Sequence, residues 1–421
     1  GSVKEILGDY EKANFQGTKP IYNPLTNADI NTKNESTYTD VTNNFYIEWL
    51  AFQGMRLKGR LGIISKKDDS EIFYPRDHTM FKDVDPDSEE YFERGSYTMG
   101  NGKNFEYNAD LSANYSRDFG KNVIFANTQW SFSERKYNYV EFKARGFAND
   151  KMDYITHAKE YAEGGPTGSE SLSREASFLI STNYSYDNRY LFSGSLRYDG
   201  CSIFGTNNKW GVFPAFSAGW NISRETFFTN LNLHWFNNLK LRASYGATGN
   251  NAISNTAAYA SLTAGSYAGY PSYYANSLGN ADLGWEKTYS TDLAVDMSFL
   301  DNRIQFSFDW YTKKTTNLLY SIPSMGASGF SKVWGNMGEI KNQGFDIELN
   351  TINLAGEFKW NTSFNLSYNK NKVISLGEAN TPVYSGFDGS NFSNILRVGE
   401  QAYAFYMYNA TGVWKSQKEI D

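Results

Sequence analysis

The chain is poor in the residues on which enzymes and secreted scaffolds depend. It has one cysteine in 421 residues, Cys201, so no disulfide can form within it. Histidine occurs three times, at His78, His157 and His234, too far apart in sequence for a zinc motif, and no metal or cofactor signature is read. The same scarcity removes the commonest general base, and no Ser/His/Asp or Cys/His nucleophile set stands out, so no catalytic role is expected. Forty Lys and Arg against 46 Asp and Glu leave a net charge of −6 with no basic stripe, which argues against a nucleic-acid partner. No run of about 18 apolar residues exists, so no helix can span a bilayer. The N-terminus carries no signal-peptide pattern, and Gly1-Ser2 reads as an arbitrary start.

What the chain has in excess is aromatic side chains: ten Trp, 31 Tyr and 30 Phe, more than the core of a soluble domain of this length needs. Aromatics must therefore serve a surface. A hydropathy average reads the chain as soluble, but a membrane-spanning β-strand alternates lipid-facing and lumen-facing residues, and window averaging erases a two-residue period.

That period is present. Residues 108 to 116 put Ala109, Leu111, Ala113 and Tyr115 on one face, and Asn108, Asp110, Ser112 and Asn114 on the other. After a turn at Asp118-Phe119-Gly120 the partner strand carries Ile124, Ala126, Thr128, Trp130 and Phe132 against Asn127, Gln129 and Ser131. The unit recurs at 177 to 186 and 190 to 199 across Asp187-Asn188, at 288 to 299 and 304 to 310 across Asp301-Asn302, and at 343 to 351 and 358 to 368 across Ala355-Gly356. Two less regular hairpins pair 45 to 52 with 56 to 64, and 210 to 222 with 239 to 246 over a longer connection. The links between hairpins, 65 to 107, 133 to 176, 247 to 287, 313 to 342 and 369 to 402, run to dozens of residues. Short turns on one side and long loops on the other are the habit of outer-membrane barrels, with the short turns periplasmic and the long loops extracellular.

A soluble β-sandwich also alternates. Three features favour lipid instead. The apolar rows contain no Lys, Arg, Asp or Glu, as a bilayer requires where a central Arg or Lys costs roughly 2–4 kcal/mol. Long loops lie on one side only. The aromatics gather near strand ends, in two interfacial bands: Tyr184, Tyr186, Tyr190, Trp220, Phe299, Phe358 and Trp360 by the short turns, and Trp130, Phe132, Tyr198, Tyr245, Trp310 and Tyr368 by the long loops.

Polar rows supply the candidate lumen-facing residues: Asp110, Arg197, Arg242, Asp292, Asp296 and Asp309, with Asn114, Gln129, Lys240, Asp346 and Glu348 beside them. They would anchor a plug, line a path, or simply be solvated. Tyr259, Tyr267, Tyr270, Tyr273 and Tyr274, flat rings among Gly, Ala and Ser, are candidate contacts for substrate or a partner lid, with loop packing as the alternative. The acidic run Asp83, Asp85, Asp87, Glu89 and Glu90 lacks the glycine and closing Glu of a calcium loop, since Ser88 and Arg94 stand there, and reads as a solvated loop. Gly246, Gly249 and Asn250-Asn251 read as turn punctuation, because no helix pattern follows.

Several long stretches carry a family resemblance: YSYDNRYLFSGSLRYDGCSIFG (184–205), NNKWGVFPAFSAGWNISRE (207–225), LKLRASYGATGNN (239–251), LGWEKT (283–288), FLDNRIQFSFDWYTKKTTNLL (299–319) and NMGEIKNQGFDIELN (336–350). In this order, and from about residue 20 onward, the chain resembles the SusC/RagA-type TonB-dependent outer-membrane transporters of Bacteroidetes-like bacteria. Cys201 and Ile203 depart from the Ser and basic residue usual in that family.

The resemblance implies an all-β fold, a partial antiparallel transmembrane β-barrel. About twelve or thirteen strands are read here of the 22 usual in such barrels, with Tyr403 to Tyr408 starting the last and Asp421 not the aromatic expected at the end. A plug domain and TonB box would precede it, so the chain is expected to be part of a longer one. Import would run with a SusD-like surface lipoprotein, and with the TonB–ExbB–ExbD complex acting through the plug. Its cargo would be oligosaccharides first and oligopeptides second. The alternatives are a siderophore or cobalamin receptor without the lipoprotein, and a non-transporting glycan-binding β protein.

Overall fold

The computed structural model describes residues 12–13, 21–22, 27–162, 165–268, 270–324, 326–330, 332–377, 379–385, 393–407 and 412. Among these, one antiparallel sheet dominates. Twelve strands form it: β1 Lys33–Phe52, β2 Met55–Tyr74, β3 Ser96–Phe119, β4 Asn122–Arg145, β5 Thr167–Tyr186, β6 Tyr190–Cys201, β7 Trp210–Asn221, β8 Phe236–Asn250, β9 Glu286–Phe299, β10 Ile304–Thr316, β11 Glu339–Ala355 and β12 Lys359–Ser375. Each is hydrogen-bonded to its neighbours in chain order, and a short strand, Glu160–Tyr161, adds to β4 as a thirteenth. Ala404–Tyr406, expected within the start of a last barrel strand, pairs instead with Ser393–Leu396 in a small separate sheet, and Tyr408 and Asp421 lie outside the described residues.

From β5 to β12 the apolar rows read from the sequence fall in register across the ladder. Phe178, Ile180, Thr182 and Tyr184 pair with Tyr198, Leu196, Gly194 and Phe192. Trp220, Ala218 and Phe216 pair with Leu241, Ala243 and Tyr245. Leu293 and Val295 pair with Trp310 and Phe308, which pair in turn with Phe345 and Ile347. These rows are not packed away, since Ile180 is 49 %, Phe192 51 % and Leu293 49 % exposed. A sandwich would have covered them.

The tight turns follow from residue chemistry. Asp187 and Asn188 adopt φ of +53° and +52°, and Asp301 and Asn302 +56° and +63°, a region Asp and Asn tolerate far better than branched residues. The turn after β3 falls at Gly120-Lys121, slightly later than expected, because Gly120 takes the left-handed position at φ +60°. Near the last turn an extra residue, Asn353, shifts the register, and the Arg303 guanidinium donates to the carbonyls of Ile352 and Asn353 at 3.1 and 2.8 Å. Phe358, expected in the return strand, stands in the turn before Lys359.

The links read as loops are largely strand. β3 and β4 have 24 residues each, more than twice the 9–11 a bilayer crossing needs. In their outward halves charged and apolar residues share a face, Lys103 with Tyr97 and Phe105 on β3 and Lys136 with Val140 and Phe142 on β4, so the uncharged row ends while the backbone ladder continues. Three links also hold small β-pairings: Ser261–Tyr267 with Tyr270–Ser277, Leu319–Pro323 with Lys332–Asn336, and the set Val383–Ser385, Ser393–Leu396, Ala404–Tyr406.

The chain divides into two compact units, residues 1–46, 60–109 and 133–173, and residues 47–59, 110–132 and 174–421. The first is centred on Phe73, Tyr97 and Phe147, with Phe73 and Phe147 edge to face at 5.1 Å. Arg145 reaches Glu93 at 2.8 Å and Glu160 at 3.2 Å, and Lys33 pairs with Asp153 at 2.6 Å. In the second unit Ile203, Phe204, Ala257, Ala258 and Leu283 form a cluster in the outward loops, joined by Trp285 and Trp334. Gly205 is required there, because a Cβ would lie 2.1 Å from the Ala281 carbonyl oxygen.

If the apolar rows meet hydrocarbon, Ile180→Arg destabilises the refolded full-length barrel in vesicles by about 2–4 kcal/mol, whereas Asn183→Arg, on the opposite face of β5, costs little. Urea unfolding compares the two, and equal costs would remove the distinction between the faces. Asn188→Val destabilises the β5–β6 hairpin by about 1–3 kcal/mol through its backbone conformation while Asn188→Gly does not, by the same measurement.

Candidate functional site

The polar face of β8, β9 and β10 carries a charge cluster built by register. Arg242 lies opposite Ala294, and Ala294 opposite Asp309. The small side chain between them lets the guanidinium reach two strands. Arg242 donates through Nε and Nη2 to both oxygens of Asp296 at 2.8 and 2.9 Å, and through Nη2 to Asp309 at 3.1 Å. Ser307 donates to the same carboxylates at 2.9 and 3.1 Å, and Ser244 to Asp292 at 3.1 Å. A recess of about 320 Å³ opens beside Asp296 and Ser307, bounded by Asn238, Asn302, Gln305 and Glu348.

Of the six polar-face candidates, Arg242, Asp296 and Asp309 are therefore brought together, with Asp292 beside them. Arg197 is held by Asp199 of its own strand at 2.7 Å, and Asp110 stands half-buried on β3. The acidic run from Asp83 is exposed. In it, the Asp85 side chain accepts from the Asp87 backbone at 3.0 Å, which supports a turn. Among the described residues no group of His, Cys, Asp or Glu is arranged to hold a metal ion.

The five tyrosines do not share one setting. Tyr259 is tied down, its hydroxyl donating to the Ser202 carbonyl at 2.7 Å. The others stand on the Ser261–Ser277 pairing, a β-hairpin and not an irregular loop, with Tyr267 79 %, Tyr270 75 % and Tyr273 72 % exposed. Tyr267 pairs with Tyr270 at the tip, and the Tyr274 ring lies beside Gly265, where a Cβ would come within 3.2 Å of it. Tyr267, Tyr270 and Tyr274 thus share a hairpin face with Thr263 and Gly265, whereas Tyr273 points the other way.

A further cluster, missed in the sequence, sits by the short turns. Glu225, only 7 % exposed, accepts from Trp220 Nε1 and Arg189 at 3.0 Å each and bonds the Tyr190 hydroxyl. Arg189 also pairs with Asp187 at 3.2 Å, which Lys121 meets at 2.9 Å. The Tyr190 and Trp220 hydrogen bonds and the Arg189 charge hold the Glu225 carboxyl below the usual carboxylate range. No short motif marks it, because its members are separated in sequence and meet only through β6–β7 pairing.

An antiparallel meander with exposed, uncharged apolar rows on one face and a charged, hydrogen-bonded face on the other defines a wall segment of a transmembrane β-barrel. The chain belongs to the TonB dependent receptor-like β-barrel family, whose model matches residues 5–415. It is 30 % identical over 413 residues to TonB-dependent receptor P39 of Formosa agariphila, covering 97 % of this chain and 38 % of that protein. It is 33 % identical over 249 residues to TonB-dependent receptor SusC of Bacteroides thetaiotaomicron, covering 55 % of this chain and 25 % of that one. Its fold matches the RagAB peptide transporter structure with a TM-score of 0.80 at 21 % identity, over 94 % of this chain and 43 % of that chain. The SusC/RagA resemblance and the antiparallel barrel fold are thus borne out, and the chain is an outer-membrane β-barrel segment. It spans about two fifths of the length of the Formosa relatives it matches.

Two outcomes follow from the clusters. A double-mutant cycle on Arg242→Ala and Asp296→Ala gives a coupling of about 1 kcal/mol in urea unfolding, as for half-exposed pairs, and Ala294→Leu abolishes the smaller coupling of Arg242 with Asp309 by blocking the reach across β9. The second outcome concerns pH. A carboxyl whose proton affinity falls on folding adds stability that is complete above the ordinary Glu pKa and is lost as pH drops through the lowered value. Glu225→Gln therefore flattens the acid limb of barrel stability; an unchanged limb would place its cause elsewhere.

Proposed function

We propose that the chain is wall of an active importer that takes oligosaccharides across the outer membrane, working with a SusD-like surface lipoprotein and driven by TonB–ExbB–ExbD through a plug region. What supports the reading most is the agreement of SusC-like sequence with a wall whose apolar rows are exposed on alternate positions. On it, the Arg242–Asp296–Asp309 face lines the lumen, where fixed charges anchor the plug or border the path. The hairpin tyrosines on the outward side contact substrate or the lipoprotein. Flat rings flanked by Thr263 and Gly265 suit stacking on sugar rings, which supports reading the cargo as oligosaccharides ahead of oligopeptides.

The test is made on the full-length transporter in its own cells. Deleting the gene abolishes growth on the cognate glycan, and a tagged transporter co-purifies with a lipoprotein. Uptake of an iron chelate with no co-purifying lipoprotein would instead identify a siderophore-type receptor, and peptide-dependent growth would reassign the cargo. Replacing Tyr259, Tyr267, Tyr270, Tyr273 and Tyr274 together by Ala lowers uptake at least several-fold with surface expression unchanged; full uptake in that variant would remove these residues from the mechanism.

A further inference from the structure

On the apolar face of the second unit a groove of about 750 Å³ crosses β6 to β10. Its floor is the cross-strand pair Ala218–Ala243. Phe192, paired to Ala218, walls one side, and Leu293 with Trp310 walls the other. The next row toward the short turns, Tyr190, Trp220 and Leu241, closes that end. Lining atoms without neighbours forfeit dispersion contacts, and the floor offers water no polar partner, so in a bilayer hydrocarbon fills the groove.

Filling alone would not retain one molecule, because lipid tails are as apolar as the groove and entry gains no hydrophobic energy. Two features supply the remainder. The short-turn wall is preformed, since Glu225 holds both Trp220 and Tyr190. Beside that wall, Lys121, Arg189 and exposed Arg224 face two carboxylates, Asp187 and Glu225, leaving an excess of positive charge. The apolar surface continues along this rim: Phe227 lies 6.5 Å from the Trp220 ring, and Trp235 stacks on Phe299 at 6.0 Å.

We propose that the groove seats an acyl chain of one phospholipid from the leaflet on the short-turn side, with its phosphate held by Arg224 and backed by Arg189 and Lys121. Guanidinium groups are well matched to phosphate, and aromatic rings are at home at headgroup depth. Assigning that leaflet rests on the short turns being periplasmic, which makes the ligand a glycerophospholipid and not lipopolysaccharide.

Native mass spectrometry of the full-length transporter, released from nanodiscs of phosphatidylethanolamine and phosphatidylglycerol, reads the site directly. Wild type carries one phospholipid. Ala218→Phe combined with Ala243→Phe fills the groove and lowers occupancy at least tenfold, and Arg224→Glu lowers it several-fold without touching the groove, so either variant suffices if the other fails to fold. Absence of bound phospholipid in wild type, equal occupancy in both folded variants, or selective retention of lipopolysaccharide from native membranes would overturn the proposal. Import is not the readout, so failure of the transport reading leaves this test intact.

Discussion

A backbone inside a bilayer has no water to bond, and every N–H and C=O left unpaired there costs several kcal/mol. That constraint explains most of what this chain does. It forces neighbours in sequence to be neighbours in the sheet, and all twelve strands obey without a crossover. It also confines irregular backbone to the strand ends. Side chains inherit the consequence, because a ladder whose strands stay paired in register fixes alternate residues to opposite faces. The row Tyr190–Trp220–Leu241–Val295–Phe308 is one such line through five strands.

The polar face shows how the same register builds chemistry. Arg242 and Asp309 are 67 residues apart in sequence, yet the pairing places only Ala294 between them. Three strands are thereby tied by one guanidinium on the polar face. At the short-turn rim Glu225 ties Arg189, Trp220 and Tyr190 in a comparable way, fixing aromatic side chains where the bilayer interface is expected. Both clusters join strands that the backbone ladder already joins, so their role is to set side-chain positions more than to hold the sheet together.

Much of this was legible in the residues and some was not, for physical reasons. The hairpins around Asp187-Asn188 and Asp301-Asn302 could be read because a two-residue period flanks turn residues that accept positive φ. Strand length could not, since in the outward halves of β3 and β4 charged residues share a face with apolar ones, as Lys103 does with Tyr97 and Phe105, and the uncharged row ends while hydrogen bonding continues. The hairpin bearing Tyr267 and Tyr270 was hidden for a related reason: with no buried face, Gly, Ala, Ser and Tyr carry no alternation. Pairwise meetings such as Arg242 with Asp296, and the whole Glu225 cluster, depend on register between strands, which a single sequence records only indirectly. Phe227 and Trp235 carry no periodic signal in the sequence, because they stand in a connection and not on a strand row.

The central claim is that alternate residues of these strands face hydrocarbon. Spin labels placed one at a time from Thr291 to Met297, in the full-length transporter with Cys201→Ser and reconstituted in vesicles, test it most directly. The account predicts an accessibility that alternates with period two, high to oxygen at Leu293, Val295 and Met297 and high to a polar nickel reagent at Asp292 and Asp296. Labels at Leu293 and Val295 that are shielded from both reagents, or open to the polar one, would contradict it.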